Sequence, residues 1–114
     1  MQLFSCLYRM DKIFKALADP TRRRLLDRLH ENQGQTLGDL TGDLDMRRQS
    51  ATRHLAILQD AGLVTSDWHG REKRHYLNPL PIAEIGRRWI DKFSAPRAEA
   101  ILNLKQALED FEHE

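Results

Sequence analysis

The chain has 114 residues, the usual size of one domain, and its 18 Lys and Arg against 17 Asp and Glu leave a net charge of +1. With 40% hydrophobic and 31% charged residues, it is too apolar for a disordered chain and too charged for a membrane-embedded one. A single cysteine, Cys6, excludes an internal disulfide and a thiolate-rich metal site, and the absence of a signal-peptide pattern predicts a cytoplasmic protein that does not enter a membrane.

The charges are unevenly distributed along the chain. Residues 46–78 contain six Lys and Arg against three acidic residues, together with three of the five histidines. Residues 97–114 reverse this balance, with two basic and five acidic residues. A basic middle and an acidic end are typical of a protein with one polyanion-binding surface, although solvated helix faces give the same composition.

Two helices are predicted before residue 35. The first, at about 3–18, carries a narrow apolar stripe of the coiled-coil type. The members of this stripe are Leu3, Leu7, Met10, Phe14 and Leu17. Asp19 and Pro20 then have the residue types preferred at an N-cap and at the first helical position, which predicts a second helix over 21–31 that ends before Gly34.

The segment 36–61 predicts a helix-turn-helix. Thr36 is a suitable N-cap for a short helix that ends near Leu44. After a tight turn, residues 47–61 have the period of a longer helix. Its inward residues are Ala51, Leu55 and Leu58, and its outward residues are Gln49, Thr52, Arg53 and Ala56. The second helix, with its polar and cationic outer face, is the expected recognition helix.

A β-hairpin is predicted directly after these helices. Residues 63–68 and 73–77 have strand character, and residues 69–72 form the turn around Gly70. The hairpin, assigned to 63–78, is basic, and a basic hairpin after a helix-turn-helix is typical of the wing of a winged helix. Trp68 is expected to anchor this wing, and Trp89 the C-terminal helix. The predicted fold is therefore mainly α with a small β-hairpin, a single winged-helix domain over 1–114.

The C-terminal part is predicted to be helical and to dimerise. Pro81 suits the first turn of a helix that reaches about Phe93, and residues 94–96 interrupt it, with Ser94 or Ala95 as a cap. The terminal segments 1–18 and 82–112 both carry narrow apolar stripes that are too exposed for a small monomer, so we expect them to pair across a two-fold axis. The predicted interface residues are Leu3, Leu7, Met10, Phe14, Ile101, Leu104, Leu108 and Phe111.

The predicted partner is double-stranded DNA. Arg48 or Arg53 could pair with guanine and Gln49 with adenine, because these side chains form bidentate hydrogen bonds with base edges. Wing cations are better suited to phosphates than to bases. The full predicted DNA-binding set is Arg47, Arg48, Gln49, Ser50, Thr52, Arg53, His54, Arg71 and Lys73. For His54, at the edge of the helix, packing is an alternative to a phosphate contact.

Several motifs resemble those of one protein family. The segment FKALADPTRRRLL at 14–26 resembles the opening "ALADPTRRxIL" of ArsR-type winged-helix repressors, and MRRQSATRHL at 46–55 resembles their recognition helix "MSRQAVSRHL". AGLV at 61–64 and GREKRHYLNP at 70–79 resemble their strand entry and wing. The resemblance covers roughly residues 10–80 in the right order. It implies a repressor that regulates its own promoter, and the predicted dimer is expected to bind an imperfect inverted repeat that overlaps a promoter.

Two departures from the family pattern concern capping and metal. Arg47 stands where the family usually has a serine N-cap, so we expect the cap to come from elsewhere, with Asp45 as the candidate. Metal-sensing members carry a Cys-x-Cys pair where this chain has Thr36 and Gly38, which cannot bind a soft metal. The resemblance therefore points to the metal-independent branch, with no metal site and no cofactor.

The predicted function is sequence-specific transcriptional repression by a homodimer. The chain lacks a Gly-rich phosphate loop, an HExxH motif and paired carboxylates beside a nucleophile, which argues against an enzyme. One alternative is a metal- or redox-responsive repressor of the same fold, which would use Cys6 or His113 between subunits. The other is a winged-helix module that binds a protein partner.

Overall fold

The structure is a computed structural model, described for residues 2–90, 92–93 and 95–112 and for all their side chains except those at 2–8, 43 and 95. In chain order its elements are α1 (Gln2–Leu17), α2 (Pro20–Glu31), α3 (Leu37–Leu44), α4 (Arg48–Asp60), β1 (Val64–His69), β2 (Glu72–Leu77), α5 (Leu80–Ile85), a π-helical turn (Gly86–Ile90) and α6 (Ala95–Glu112). The chain divides into two compact units, Met1–Pro81 and Ile82–Glu114. The predicted fold class, helices with one antiparallel hairpin, is confirmed.

The predicted cap of α2 is present. The backbone N–H of Arg22 donates to a carboxylate oxygen of Asp19 at 3.0 Å, and Pro20 occupies the first turn. Both features satisfy or remove backbone donors that a helix start would otherwise leave unpaired. The residues that α2 buries are Leu25, Leu26 and Leu29. A local signal in the sequence was therefore sufficient to place this helix.

The buried face of α1 differs from the predicted stripe. Ile13 and Ala16, which the stripe omits, are fully buried, and Met10 is only 8% exposed. Because α1 packs against α2 and α4, its inner face is set by these neighbours of the same chain. The assignment of Met10 to a dimer interface is corrected accordingly, since this side chain lies in the core of its own chain.

A reciprocal cap starts α3, and a left-handed residue ends it. The hydroxyl of Thr36 accepts from the backbone N–H of Asp39 at 3.2 Å, and the Asp39 carboxylate accepts from the backbone N–H of Thr36 at 3.1 Å. Asp45 has φ = 48° and donates its backbone N–H to the carbonyl of Thr41. The expectation that Asp45 caps α4 is wrong, because it is the C-cap of α3 and α4 begins after Arg47 without a side-chain cap.

The wing is a regular antiparallel hairpin. Its register runs from Val64 opposite Leu77 to His69 opposite Glu72. The strands enclose a two-residue turn that starts at Gly70, which has φ = 66°. A positive φ is readily adopted by glycine, so this residue matches the turn that the hairpin requires. β1 is shifted by one residue from the prediction, and β2 begins one residue earlier.

The base of the wing is fastened to the loop between α2 and α3. The backbone N–H of His75 donates to the carbonyl of Gln35 at 2.9 Å, and its carbonyl accepts from the N–H of Gly34 at 2.9 Å. Nδ1 of His75 lies 3.0 Å from the same Gln35 carbonyl. The backbone N–H of Leu77 donates to the side-chain oxygen of Gln33 at 2.8 Å. These bonds satisfy the buried polar groups at the wing base.

The second unit contains two distinct helical stretches. The helix predicted to run unbroken from 81 to 93 is instead α5, which ends at Ile85, followed by the π-helical turn at Gly86–Ile90. Gly86 weakens α-helix formation at the point where the geometry changes. The interruption predicted near residues 94–96 agrees with the start of α6 at Ala95, while Ser94 lies outside the described residues. No helix in the described residues is long and apolar enough to cross a membrane.

Candidate nucleic-acid interface

The two predicted faces of α4 are confirmed. Ala51, Leu55 and Leu58 are buried against the rest of the unit, so they hold the helix in place. The residues exposed on the outer side are Arg48, Gln49, Thr52, Arg53 and Ala56. A helix anchored in this way presents a polar and cationic surface of the kind that enters a major groove.

The start of α4 is open to solvent and positively charged. Arg47 is the N-cap residue in extended conformation, and it makes no side-chain hydrogen bond to the helix. Arg47 and Arg48 are both exposed. A helix start that lacks a side-chain cap and carries cations is electrostatically suited to a phosphate group, because backbone N–H groups and positive charge coincide there.

The tip of the wing adds cations without acidic partners. Arg71 and Lys73 are exposed, and neither forms an ion pair with any residue that the structure describes. Arg74 differs from them, since its guanidinium lies 3.5 Å from the carboxylate of Glu72. The wing therefore offers two unpaired positive charges for nucleic-acid phosphates.

The hairpin has two different faces. Trp68 lies directly opposite Lys73, and Ser66 opposite His75, so these four side chains share one face. Because His75 is buried while Trp68 is 65% exposed, this face passes from the core to solvent along the hairpin. The expectation that Trp68 anchors the wing is wrong, since a side chain this exposed contributes little to packing.

A groove separates α4 from the wing. It has a volume of about 560 Å³ and is called the wing groove below. Leu37 of α3 and Leu55 and Ala56 of α4 form its apolar part, and Trp68 and Lys73 line it from the hairpin. The groove thus lies between the two elements that carry the predicted DNA contacts.

His54 lies on the side of α4 that faces the start of α2. Its Nδ1 is 3.3 Å from the guanidinium of Arg22 and 4.0 Å from a carboxylate oxygen of Asp19. The pKa of Asp19 is lowered, chiefly because its carboxylate accepts the backbone N–H of Arg22, with smaller contributions from the charges of Arg22 and His54; partial desolvation opposes this shift. These contacts show a packing arrangement for His54, and its role in DNA binding stays a prediction.

The predicted DNA-binding residues fall into two groups by exposure. Those with exposed side chains are Arg47, Arg48, Gln49, Thr52, Arg53, Arg71 and Lys73. Ser50 and His54 are half-buried. Among the exposed residues, Thr52 donates its hydroxyl to the carbonyl of Arg48 at 2.9 Å, so that its methyl group remains for an external contact. The predicted DNA-binding set did not include Trp68. The position of Trp68 opposite Lys73 depends on the register of the hairpin, which the sequence alone does not give.

Thr36 and Gly38, the two positions that the resemblance aligned with a Cys-x-Cys pair, lie at the start of α3. The Thr36 hydroxyl accepts the backbone N–H of Asp39, and Gly38 lies in the first turn of α3. Within the described residues, no group of three or more His, Cys, Asp or Glu side chains is placed to hold a metal ion. Cys6 and His113 are not among the side chains described.

A helix-turn-helix with a basic wing defines the class of winged-helix DNA-binding proteins, and comparison with known proteins agrees. Residues 17–67 match the family described as a helix-turn-helix domain. The chain is 42% identical over 87 residues to YuzN, an uncharacterized HTH-type transcriptional regulator of Bacillus subtilis, with 71% of this chain and 95% of YuzN covered. It is 35% identical over 69 residues to the transcriptional repressor SdpR of Bacillus subtilis, which covers 60% of this chain and 76% of SdpR.

Solved structures have the same fold. An ArsR-like transcriptional regulator from Rhodococcus sp. RHA1 superimposes with a TM-score of 0.72 at 28% identity, covering 94% of this chain and 96% of that one. The homodimeric winged helix-turn-helix DNA-binding domain of a possible ArsR-family regulator from Mycobacterium bovis gives a TM-score of 0.66 at 21% identity, covering 99% and 91%. This chain belongs to the ArsR family of helix-turn-helix transcriptional regulators, and it is a regulator rather than an enzyme.

Proposed function

We propose that the protein is a homodimeric repressor that binds an inverted-repeat operator and does not require a metal ion. The observation that carries this proposal is the pairing of an exposed cationic face on α4 with the unpaired wing cations Arg71 and Lys73. The α4 face would read bases in a major groove, and the wing would hold the adjacent backbone. Repression follows if the bound protein blocks polymerase, and the similarity to the repressor SdpR supports this direction of regulation.

The exposed apolar residues of α6 support the homodimer. Ile101, Leu104, Leu108 and Phe111 recur at heptad positions of this helix. All four side chains are exposed, and Phe111 is 78% exposed. An apolar row of this size is unfavourable in water and would be buried by a second copy of the same helix. The Mycobacterium bovis neighbour, whose fold is the same, is homodimeric.

The α1 part of the proposed interface rests on fewer residues. Phe14 is exposed enough to contribute, whereas Met10 is buried. Leu3 and Leu7 were also predicted there, and their side chains lie outside those described. We therefore place most of the proposed interface on α6.

Two-fold symmetry determines the form of the operator. A symmetric dimer places two recognition helices about 34 Å apart, so each enters a successive major groove of an inverted repeat. Because the resemblance to the family implies autoregulation, the upstream region of the protein's own gene is the first operator candidate. Metal independence is supported by Thr36 and Gly38, which occupy the positions of the family's cysteine pair.

A binding titration tests this function. Fluorescently labelled upstream DNA and scrambled DNA of equal length would be titrated with the purified protein at several salt concentrations. Each condition would be repeated with chelator, with Zn²⁺ and with reductant. We expect preference for the upstream DNA, no effect of the three additives, and a slope in log K against log salt that corresponds to about 6–10 phosphate contacts per dimer.

The other outcomes identify the alternatives. Loss of binding on addition of Zn²⁺ or on removal of reductant would indicate a metal- or redox-responsive repressor. Equal binding to both DNAs would contradict operator recognition at this locus. Binding to neither DNA would favour a module that recognises a protein partner.

The wing gives an internal control for the same titration. Arg71→Ala should weaken binding to upstream and scrambled DNA by a similar factor, because a phosphate contact carries no base information. It should reduce the salt slope by about 2, since each dimer loses one phosphate contact per copy. Arg74→Ala is the matched variant, since the Arg74 guanidinium is already paired with Glu72. An equal reduction of the slope by both variants would contradict the assignment of Arg71 to a phosphate.

A further inference from the structure

We propose that the wing groove binds a planar aromatic carboxylate, and that this ligand and DNA exclude each other. The juxtaposition that carries the proposal is an exposed indole beside an apolar surface, with unpaired cations at the rim. The wing groove has a volume of about 560 Å³, which lies within the range of roughly 300–1,000 Å³ that small-molecule sites occupy.

The apolar part of the groove suits a flat hydrocarbon. Leu37 and Ala56 remain partly accessible beside the buried Leu55, and they lie across the groove from the hairpin. Trp68 completes this surface, and its 65% exposure leaves the indole available. An indole prefers offset stacking or edge contact with another aromatic ring, so a planar ligand would gain more here than an aliphatic one.

The rim of the groove suits a carboxylate. Arg48, Arg71 and Lys73 line the groove, and none of the three has an acidic partner among the residues described. Glu72 also lines it, but its carboxylate lies 3.5 Å from the guanidinium of Arg74. The excess positive charge would pair with an anion, and the planar guanidinium groups match a carboxylate in bidentate geometry.

The inner end of the groove is already fixed. His75 lines it and is buried, with Nδ1 donating to the Gln35 carbonyl at 3.0 Å. Main-chain hydrogen bonds join the same two residues. A site whose wall is held in this way loses little conformational freedom on binding, which favours even a small ligand.

Exclusion of DNA follows from shared residues, and this part rests on the proposed function. Arg48 and Lys73 would pair with the ligand carboxylate, and both belong to the predicted DNA-binding set. A bound ligand would neutralise these cations and fill the space beside α4. An inducer of this chemical class would then release the operator by direct competition, without any change at the dimer interface.

Binding to the full-length protein without DNA is the first test, and 2-naphthoate is the probe. The indole N–H signals of the tryptophans would be followed by NMR, with Trp89→Phe used to assign the signal of Trp68. We expect a saturable shift of the Trp68 signal with a Kd on the order of 0.1–1 mM, as fits a ligand of this size. The neutral 2-naphthamide should bind about tenfold more weakly.

Two matched variants localise the site. Lys73→Gln removes a cation on the groove face of β2, and we expect about a fivefold loss of 2-naphthoate affinity, as for one ion pair near the surface. Arg24→Gln removes an exposed cation of α2 that does not line the groove and should leave the affinity unchanged. No saturable shift of Trp68, equal binding of the amide, or equal effects of both variants would overturn the proposed site.

Competition is then measured with operator DNA. The apparent Kd for DNA should rise in proportion to the 2-naphthoate concentration and should rise less in Lys73→Gln. Saturable ligand binding with unchanged DNA affinity would overturn the exclusion. Failure of the protein to bind any DNA in the absence of ligand would instead overturn the proposed function, so the two failures can be distinguished.

Discussion

The guanidinium of Arg22 lies 3.3 Å from Nδ1 of His54, although the two residues are 32 positions apart in the chain. The same guanidinium donates to the carbonyls of Ala16 at 2.8 Å and Lys15 at 3.0 Å, where α1 ends. A single side chain in the first turn of α2 therefore satisfies terminal carbonyls of one helix and contacts the recognition helix. The position of α4 is thus linked to the junction of α1 and α2.

Arg22→Ala should destabilise the fold by about 1–3 kcal/mol, because the carbonyl of Ala16 would lose the guanidinium donor and that of Lys15 would keep only the backbone N–H of Ala18. Arg22→Lys should recover only part of this stability, since an ammonium group cannot reproduce the fork geometry. Urea unfolding would measure both effects. Arg24→Ala, at an exposed position of the same helix, serves as the control and should change stability by less than about 0.5 kcal/mol. Equal unfolding midpoints for Arg22→Ala and Arg24→Ala would count against this role.

Asp19 should make the fold sensitive to acid. Its pKa is lowered in the folded protein, so the ionised carboxylate adds stability at neutral pH. This contribution is lost as the pH falls from the ordinary aspartate range through the lowered pKa. Asn is also a good N-cap, so Asp19→Asn retains the cap but removes the titration.

Unfolding curves collected between pH 7 and pH 2 would test this expectation. Asp19→Asn should lose less stability than the wild type below about pH 4, near the ordinary pKa of aspartate. Asp27→Asn changes an exposed aspartate in the same helix and should follow the wild type. If the free energy of unfolding of Asp19→Asn depends on pH in the same way as that of the wild type, the ionised carboxylate of Asp19 does not make the fold sensitive to acid.

Replacing Arg53 should show whether its side chain contacts a base or a phosphate. Arg53→Ala is expected to cost about 1–3 kcal/mol in operator binding if the guanidinium pairs with a guanine, and much less with scrambled DNA. Titration of both DNAs at one salt concentration would measure the difference. Arg24→Ala again provides a control outside the recognition helix. A uniform loss on both DNAs would reassign Arg53 to the backbone.

The heptad row of α6 should control the oligomeric state. Leu108→Glu places a charge within this row, so we expect monomers by analytical ultracentrifugation and at least a tenfold weaker binding to the full operator. Asn103→Glu introduces the same charge at an exposed position of α6 outside the row and should remain dimeric. A dimer in both variants would show that α6 does not hold the two copies together.

Features with a local cause were predictable from the sequence. The Asp19 and Pro20 pair placed α2, and Thr36 placed α3, because capping requires only residues within one turn. Gly70 marked the hairpin turn for a similar reason, since a positive φ suits glycine. The buried and exposed faces of α4 were also predicted correctly, because a helix with a single apolar side can turn only that side toward the core.

Features that depend on distant neighbours were missed. The apolar residues of α1 allow more than one inward face, and packing against α2 and α4 selected the one with Ile13 and Ala16. Asp45 lies between two helices, so the sequence allowed it to cap either the end of α3 or the start of α4. In the structure it adopts a left-handed conformation and ends α3. Trp68 was expected to be an anchor because large aromatic residues are usually buried, yet its position near the hairpin tip leaves it exposed.

The hairpin base has consequences for how the family can diverge. The hydrogen bonds that join His75 to Gln35 and Leu77 to Gln33 hold its inner end, while a Cβ atom added at Gly70 would meet no other atom within 4 Å. Amide hydrogen exchange should therefore be slow at His75 and fast at the tip. Apart from Gly70, whose positive φ the turn requires, residues at the tip can be exchanged during evolution at little cost in folding, so a new ligand or a new operator can be acquired there without rebuilding the protein.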